Sequence, residues 1–261
     1  TGTVTVVDLI APAITTVSSA VTTYLNGSGV ATISQSDVVA TTTDNCTVAP
    51  TVSLSATSFS CSEVGSNTIT ITATDGSGNS STATKNVVVM DTISPSITAP
   101  SAVTLSLGAG GSVTLPGNTA SASDNCGATT LTYSETSFNC SDIGTTNVVV
   151  TATDANGNDS EATIAVTVQD VTNPTLALVS SGITLALDAN GSTSLTTSQI
   201  VSSVSDNCSG VTVSVSPSSF GCSDLGSNTV TVTATDASGN TTVETGTVTV
   251  VDLIAPAITT V

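Results

Sequence analysis

Three aspartates recur as a set along this chain. Asp8, Asp44 and Asp75 make the first set, Asp91, Asp124 and Asp154 the second, and Asp170, Asp206 and Asp236 the third. Each set draws one residue from a D-x-x-x-P motif, one from D-N-C and one from A-T-D-x-x-G-N. Carboxylates brought together repel one another unless a cation sits among them. Lys85 is the sole basic side chain against 19 acidic ones, so the chain cannot neutralise them itself. Ca²⁺ accepts roughly six to eight oxygens in flexible geometry, including backbone carbonyls and Asn side chains of the kind found beside these aspartates. The nine aspartates are therefore candidate Ca²⁺ ligands. The plainer alternative is that each closes its own turn, and no D-x-D-x-D-G loop is present.

Six cysteines fall in pairs 15, 14 and 14 residues apart: Cys46 and Cys61, Cys126 and Cys140, Cys208 and Cys222. No C-x-x-C and no His accompany them, which points to disulfides and away from metal. The spacing predicts Cys46–Cys61, Cys126–Cys140 and Cys208–Cys222, each closing a short loop worth about 3 kcal/mol. Disulfides place the chain in an oxidising setting, secreted or on a cell surface. Composition speaks against an enzyme: there is no His to act as base, no unpaired Cys as nucleophile and no Arg to clamp an anion. Carboxylate pairs could serve a glycosidase, but their presence in every copy favours a structural role. A Lys–Asn isopeptide staple is excluded too, since Ile164 and Gly246 stand where Lys85 does. A net charge of −18 repels nucleic acid and anionic lipid, and also serves solubility.

The elements that must position these groups are repeats. Residues 245–261 copy residues 1–17 letter for letter, a super-period of 244 residues, as expected for an internal window of a longer tandem array. D-x-x-x-P occurs at Asp8/Pro12, Asp91/Pro95, Asp170/Pro174 and Asp252/Pro256, with Asp spacings of 83, 79 and 82. Between successive copies come D-N-C, then F-x-C at Phe59/Cys61, Phe138/Cys140 and Phe220/Cys222, then a glycine, then A-T-D-x-x-G-N. Residues 9–91, 92–170 and 171–252 are thus three related units. Residues 1–8 read as the final strand of a preceding repeat and 253–261 as the first strand of a following one. Runs such as Thr229-Val230-Thr231-Val232-Thr233 alternate with period two, the signature of half-buried strands. Turn signals separate them, and no stretch carries a helical stripe. The fold expected is all-β: tandem immunoglobulin-like sandwiches of about seven antiparallel strands each, stacked end to end. A-T-D-x-x-G-N reads as a hairpin turn at one pole, followed by a long strand to the junction Asp at the other. One Phe per unit anchors each core. Short Pro-containing linkers argue for a stiff rod.

The ordered set D-x-x-x-P, D-N-C, F-x-C-S-x-x-G and V-T-x-T-A-T-D-x-x-G-N resembles the hyalin-type (HYR) repeat across all three units. The near-identical copies and the scarcity of Lys and Arg also resemble giant cell-surface adhesins of bacteria, notably the Bacteroidetes. The resemblance implies an immunoglobulin-like module of extracellular proteins, concerned with adhesion and spacing. The function expected is a structural stalk or filament region, stapled by disulfides and stiffened by Ca²⁺. Its partners are neighbouring repeats of the same chain, with self-association into filaments, and neither nucleic acid nor membrane. The competing reading is a multivalent module in which each repeat contacts a carbohydrate or other partner. The absence of Trp weighs against it, and Tyr24 and Tyr133 lie in different contexts.

Overall fold

The structure, a computed structural model, describes residues 2–46 and 49–257. They form two compact units. The first holds the described residues of 1–99 with Ala120–Tyr133 and Val149–Ala162; the second holds Pro100–Thr119, Ser134–Val148 and the described residues of 163–261. The division runs through the strands of the middle interval, so each unit is described by itself.

In the first unit, Gly65–Thr74 and Ser80–Met90 form an antiparallel hairpin paired in register from Gly65↔Val89 to Thr74↔Ser80. The turn between them is the A-T-D-x-x-G-N motif. Thr51–Leu54 flanks Gly65–Thr74, and Val21–Tyr24 flanks Ser80–Met90, completing a four-stranded sheet. Two small antiparallel pairs, Ala13–Thr16 with Val39–Thr43 and Val30–Thr32 with Ser58–Ser60, make the facing layer. The second unit repeats the plan. Gly226–Thr235 pairs with Thr241–Val251, with Thr212–Ser216 and Ile183–Ala186 outside them. Thr175–Leu178 pairs with Val201–Ser205, and Ser192–Ser194 with Ser219–Gly221. The architecture is an all-β sandwich of the immunoglobulin-like kind.

Period-two alternation sets which face is inside. Val230, Val232, Val248 and Val250 are buried, and Ile69, Ile71, Val87 and Val89 take the same places in the first unit. Thr229 and Thr231 face outward. Phe59, Phe138 and Phe220 are all buried, and Phe59 and Phe220 sit within the apolar clusters of the two units. One strand departs from expectation. Val21–Tyr24 runs parallel to its neighbour, Val21 opposite Val87 and Tyr24 opposite Met90, and Ile183–Ala186 does the same. Parallel partners need a long connection, and here most of a repeat lies between them in sequence. Two four-residue helices, Gln35–Val38 and Thr197–Ile200, also appear, each contributing one buried side chain, Val38 and Ile200.

Residues 2–12 form no strand. The twin of residues 2–7, residues 246–251, lies in Thr241–Val251, held between Gly226–Thr235 and Ile183–Ala186. The first copy has no such neighbours among the described residues, which leaves Val4 and Val6 almost wholly exposed, whereas Val248 and Val250 are buried. Of the expected strand at 253–261, residues 253–257 carry no strand, and 258–261, like Thr1, lie outside the described residues.

Candidate functional site

The hairpin turn in each acidic site is closed by hydrogen bonds to its own Asp. Asp236 ends the strand Gly226–Thr235, and its Oδ1 accepts the N–H groups of Ser238 (2.9 Å) and Asn240 (2.8 Å). Its Oδ2 accepts from Asn240 Nδ2 at 2.8 Å. Asp75 with Asn79, and Asp154 with Asn158, repeat the pattern. Burial would raise these three carboxyls, but the Asn side-chain amides and backbone N–H groups outweigh it and hold all three below the usual carboxylate range.

The same Asn reaches across to the linker. Asn240 Nδ2 donates to the carbonyl of Asp170 at 3.1 Å, as Asn79 does to Asp8 at 3.0 Å and Asn158 to Asp91 at 3.3 Å. The D-N-C loop arrives from a third direction. Its backbone folds onto its own Asp: the N–H groups of Cys46, Cys126 and Cys208 each donate to Asp44, Asp124 and Asp206 at 2.9 Å. Asn125 and Asn207 then donate to Asp91 Oδ1 and Asp170 Oδ1 at 3.3 and 3.2 Å.

Carboxylate oxygens of Asp8, Asp44 and Asp75 converge within 4.8 Å of one another, and so do those of Asp170, Asp206 and Asp236. In the middle set, Asp91 and Asp124 converge with the Cys126 sulfur, and Asp154 stands outside that grouping. The turn in this set also differs by one residue. Asn156 donates to Asp91 Oδ2 at 3.1 Å, where the other two turns carry Ser77 and Ser238. Asp91 thereby accepts hydrogen bonds at both carboxylate oxygens, and Cys126 is tied up in a disulfide. Open acceptors remain in every set: Asp8 Oδ2 in the first, and Asp124 Oδ1 and Asn125 Oδ1 in the second, are buried with no hydrogen-bond donor among the described residues. In the third set Asp170 is only 6% exposed, and its Oδ2, together with Asp206 Oδ1 and Asn207 Oδ1, is buried with no hydrogen-bond donor among the described residues. Such oxygens cost free energy unless a cation or water meets them. The donor set, hard oxygens from carboxylate and amide, suits Ca²⁺.

The cysteine pairing expected from spacing is wrong. The bonds are Cys61–Cys126 and Cys140–Cys208, with Cα atoms 5.3 and 5.6 Å apart and sequence separations of 65 and 68. Each links the F-x-C turn of one repeat to the D-N-C loop of the next. The reason lies in strand length. Cys61 precedes Gly65, where a ten-residue strand begins, while Cys46 lies among Asp8, Asp44 and Asp75 at that strand's far end. Ten residues of strand span roughly 33 Å, and a disulfide needs Cα atoms within about 7 Å. Cys46 and Cys222 are free and exposed, so Cys208–Cys222 and Cys46–Cys61 do not form.

At each bond the incoming loop packs on a glycine turn. Asn125 Nδ2 donates to the carbonyl of Asn26 at 3.3 Å, and Asn207 Nδ2 to that of Gly108 at 3.2 Å. A Cβ on Gly29 or Gly111 would lie 2.9 or 2.6 Å from the carbonyl oxygen of Asn125 or Asn207. The D-N-C motif thus has three parts: an Asp that shapes the loop, an Asn that ties it to its neighbour, and a Cys that bonds there.

No family model matches the chain. It is similar to hyalin of Strongylocentrotus purpuratus, 34% identical over 228 residues. That similarity supports the hyalin-type repeat. It spans 82% of this chain but 18% of that hyalin. Among solved structures, the chain aligns with an E-to-A mutated variant of titin domains I67–I69 (TM-score 0.39, 9% identity, 93% of this chain and 99% of that one). It also aligns with human CDH23 EC21–23 (TM-score 0.36, 17% identity, 72% and 74%). No helix of the described residues is long and apolar enough to cross a membrane.

Proposed function

We propose that this hyalin-type repeat region is the stalk of a repetitive extracellular adhesin, giving reach and stiffness, with its acidic junctions holding Ca²⁺. The observation that carries the reading is the pair of disulfides that join the F-x-C turn of one repeat to the D-N-C loop of the next. A bond inside a domain stabilises that domain alone, whereas a bond across a junction removes a hinge. The scarcity of Lys and Arg is what favours a bacterial surface over other extracellular settings. Tyr133 is occupied structurally, its hydroxyl accepting the Ala120 N–H at 3.1 Å, so it offers little support to a sugar-binding role.

For Ca²⁺, the supporting feature is the orphaned oxygens of Asp170, Asp206 and Asn207. An ion bound there adds stability only to the folded state, so the melting temperature rises with free Ca²⁺. The test is thermal melting and end-to-end extension of the chain in chelator and in millimolar Ca²⁺. Asp206→Asn should diminish the response, and Asn156→Ser, which frees Asp91 Oδ2, should enlarge it. No change between chelator and Ca²⁺ in any variant would reduce these aspartates to turn formers.

A further inference from the structure

The D-N-C loop from Asp206 to Cys208 belongs to two sites at once. Asp206 offers a carboxylate oxygen to the acidic site, within 4.8 Å of oxygens from Asp170 and Asp236. Its Oδ1 is buried with no hydrogen-bond donor among the described residues, and so is Oδ2 of Asp170, a residue only 6% exposed. Two residues on, Cys208 is bonded to Cys140, with Cα atoms 5.6 Å apart. Asn207 stands between. Its Nδ2 donates to Asp170 Oδ1 and to the Gly108 carbonyl, both at 3.2 Å, and its own carbonyl oxygen lies 3.5 Å from Cys140 Sγ.

Little slack separates the two sites. The Cys208 N–H donates to Asp206 Oδ2 at 2.9 Å, so the carboxylate that would hold an ion through Oδ1 also fixes the backbone of the bonded cysteine. On its other side the loop presses on Gly111, where a Cβ would stand 2.6 Å from the Asn207 carbonyl oxygen. Reduction replaces a covalent bond with a contact between two thiols, which need van der Waals separation. Cys140 Sγ is seated 3.6 Å from the Gly111 carbonyl oxygen and has little room to recede. The separation therefore falls on the D-N-C loop, and Asp206 moves with it.

We infer that Ca²⁺ at Asp170, Asp206 and Asp236 is linked to the Cys140–Cys208 disulfide: the ion makes the bond harder to reduce, and the bond makes the site hold the ion more tightly. This deepens the Ca²⁺ reading proposed above and rests on it. An ion on Asp206 keeps Cys208 in the place it has when bonded. It thus binds the oxidised chain better than the reduced one, and such differential affinity is what shifts an equilibrium. The factor is the same read from either side. A junction built this way yields most readily when Ca²⁺ and oxidant are withdrawn together. Reduction consumes two glutathione thiols. The first attacks one sulfur as its thiolate, and the other cysteine leaves as a thiolate and takes up a proton. The second glutathione then releases the mixed disulfide. Two protein thiols and one glutathione disulfide result.

The test equilibrates the full chain in glutathione redox buffers, with chelator or with millimolar Ca²⁺, followed by acid quench, alkylation and peptide mapping of Cys140 and Cys208. The equilibrium constant for forming Cys140–Cys208 from glutathione disulfide should rise roughly tenfold with Ca²⁺, a typical size for coupled sites. Asp170→Asn keeps an acceptor for the Thr172 N–H and replaces the orphaned oxygen. In that variant the rise should be lost, while the constant in chelator stays close to wild type. Titration calorimetry with Ca²⁺ gives the reciprocal arm: affinity should fall by the same factor in Cys140→Ser/Cys208→Ser, with circular dichroism checking that this variant folds. The redox arm needs wild-type chain alone. Ca²⁺ binding with no change in the redox constant, or a rise that persists in Asp170→Asn, would overturn the linkage and leave the Ca²⁺ reading standing. No binding by calorimetry would overturn both.

Discussion

Asp236 shows how one residue type carries two tasks. Its carboxylate is buried, and it is nonetheless held in the charged form by Asn240 and by the backbone N–H groups of its own turn. Asp75 and Asp154 are held the same way. Their folded-state pKa values lie below the unfolded value of about 3.9. The stability they add is therefore complete at pH values above that, and it is lost as pH falls through the depressed folded values. Denaturant titrations should accordingly give a flat midpoint from neutral pH down to the unfolded carboxylate range, then a decline below it. Asp236→Asn should lower the midpoint at neutral pH and lessen the decline in acid, because Asn cannot accept at both oxygens and does not titrate. An equal acid decline in Asp236→Asn and wild type would mean that other groups set the acid limit.

At the scale of the element, the glycine turn and the D-N-C loop form a lock that tolerates no side chain. Gly111 has φ 68° and Gly191 has φ 73°, a left-handed conformation that costs a residue with a Cβ about 1–2 kcal/mol. Gly111→Ala adds a second penalty, since its Cβ would meet the Asn207 carbonyl oxygen at 2.6 Å, whereas a Cβ on Gly191 would meet Cys222 Sγ at 2.8 Å and no D-N-C loop among the described residues. Both variants should lose some stability, but only Gly111→Ala should shift Cys140–Cys208 toward the reduced form when equilibrated with glutathione. No shift in Gly111→Ala would indicate that the seat of the loop on the turn does not govern the bond. The parts of this lock were differently legible in the sequence. The D-N-C, F-x-C and A-T-D motifs named their positions, and alternation named the buried faces, because those signals are local. Pairing was not local. Cysteines 14 or 15 residues apart look like neighbours, yet a ten-residue strand starting at Gly65 or Gly226 separates the two ends of the sandwich. That strand was itself readable, and following it from F-x-C to A-T-D would have placed Cys61 at the end opposite Cys46. The bond from Asn156 to Asp91 was beyond reach, since it turns on a side-chain direction that a motif does not encode. The parallel pairing of Val21–Tyr24 was hidden for a related reason, because a strand's direction depends on which distant neighbour it joins.

For the whole molecule, the pairing decides how the chain answers tension. Bonds that close 65 and 68 residues remove about 4 kcal/mol each from the unfolded state's chain entropy, against about 3 kcal/mol for loops of 15. They also withhold chain from extension. A pulled segment lengthens by roughly 3.5 Å per residue, so each closed loop hides roughly 230 Å that stays hidden even when the strands inside it unfold. Pairing within repeats would have hidden only roughly 50 Å for each loop of 14 or 15 residues. Single-molecule stretching between the chain ends separates the two. Adding reductant should lengthen the fully unfolded wild-type chain by roughly 460 Å, in two steps of similar size. Cys126→Ser should remove one step and Cys140→Ser the other, while Cys222→Ser should leave both in place. A gain of only roughly 150 Å on reduction would restore the short-loop pairing and remove the covalent joint between repeats on which the stalk reading depends. The larger gain would mean that an oxidised stalk can lose its fold under load and still keep about half of its length in reserve, so that unfolding one sandwich does not part the chain from its neighbour.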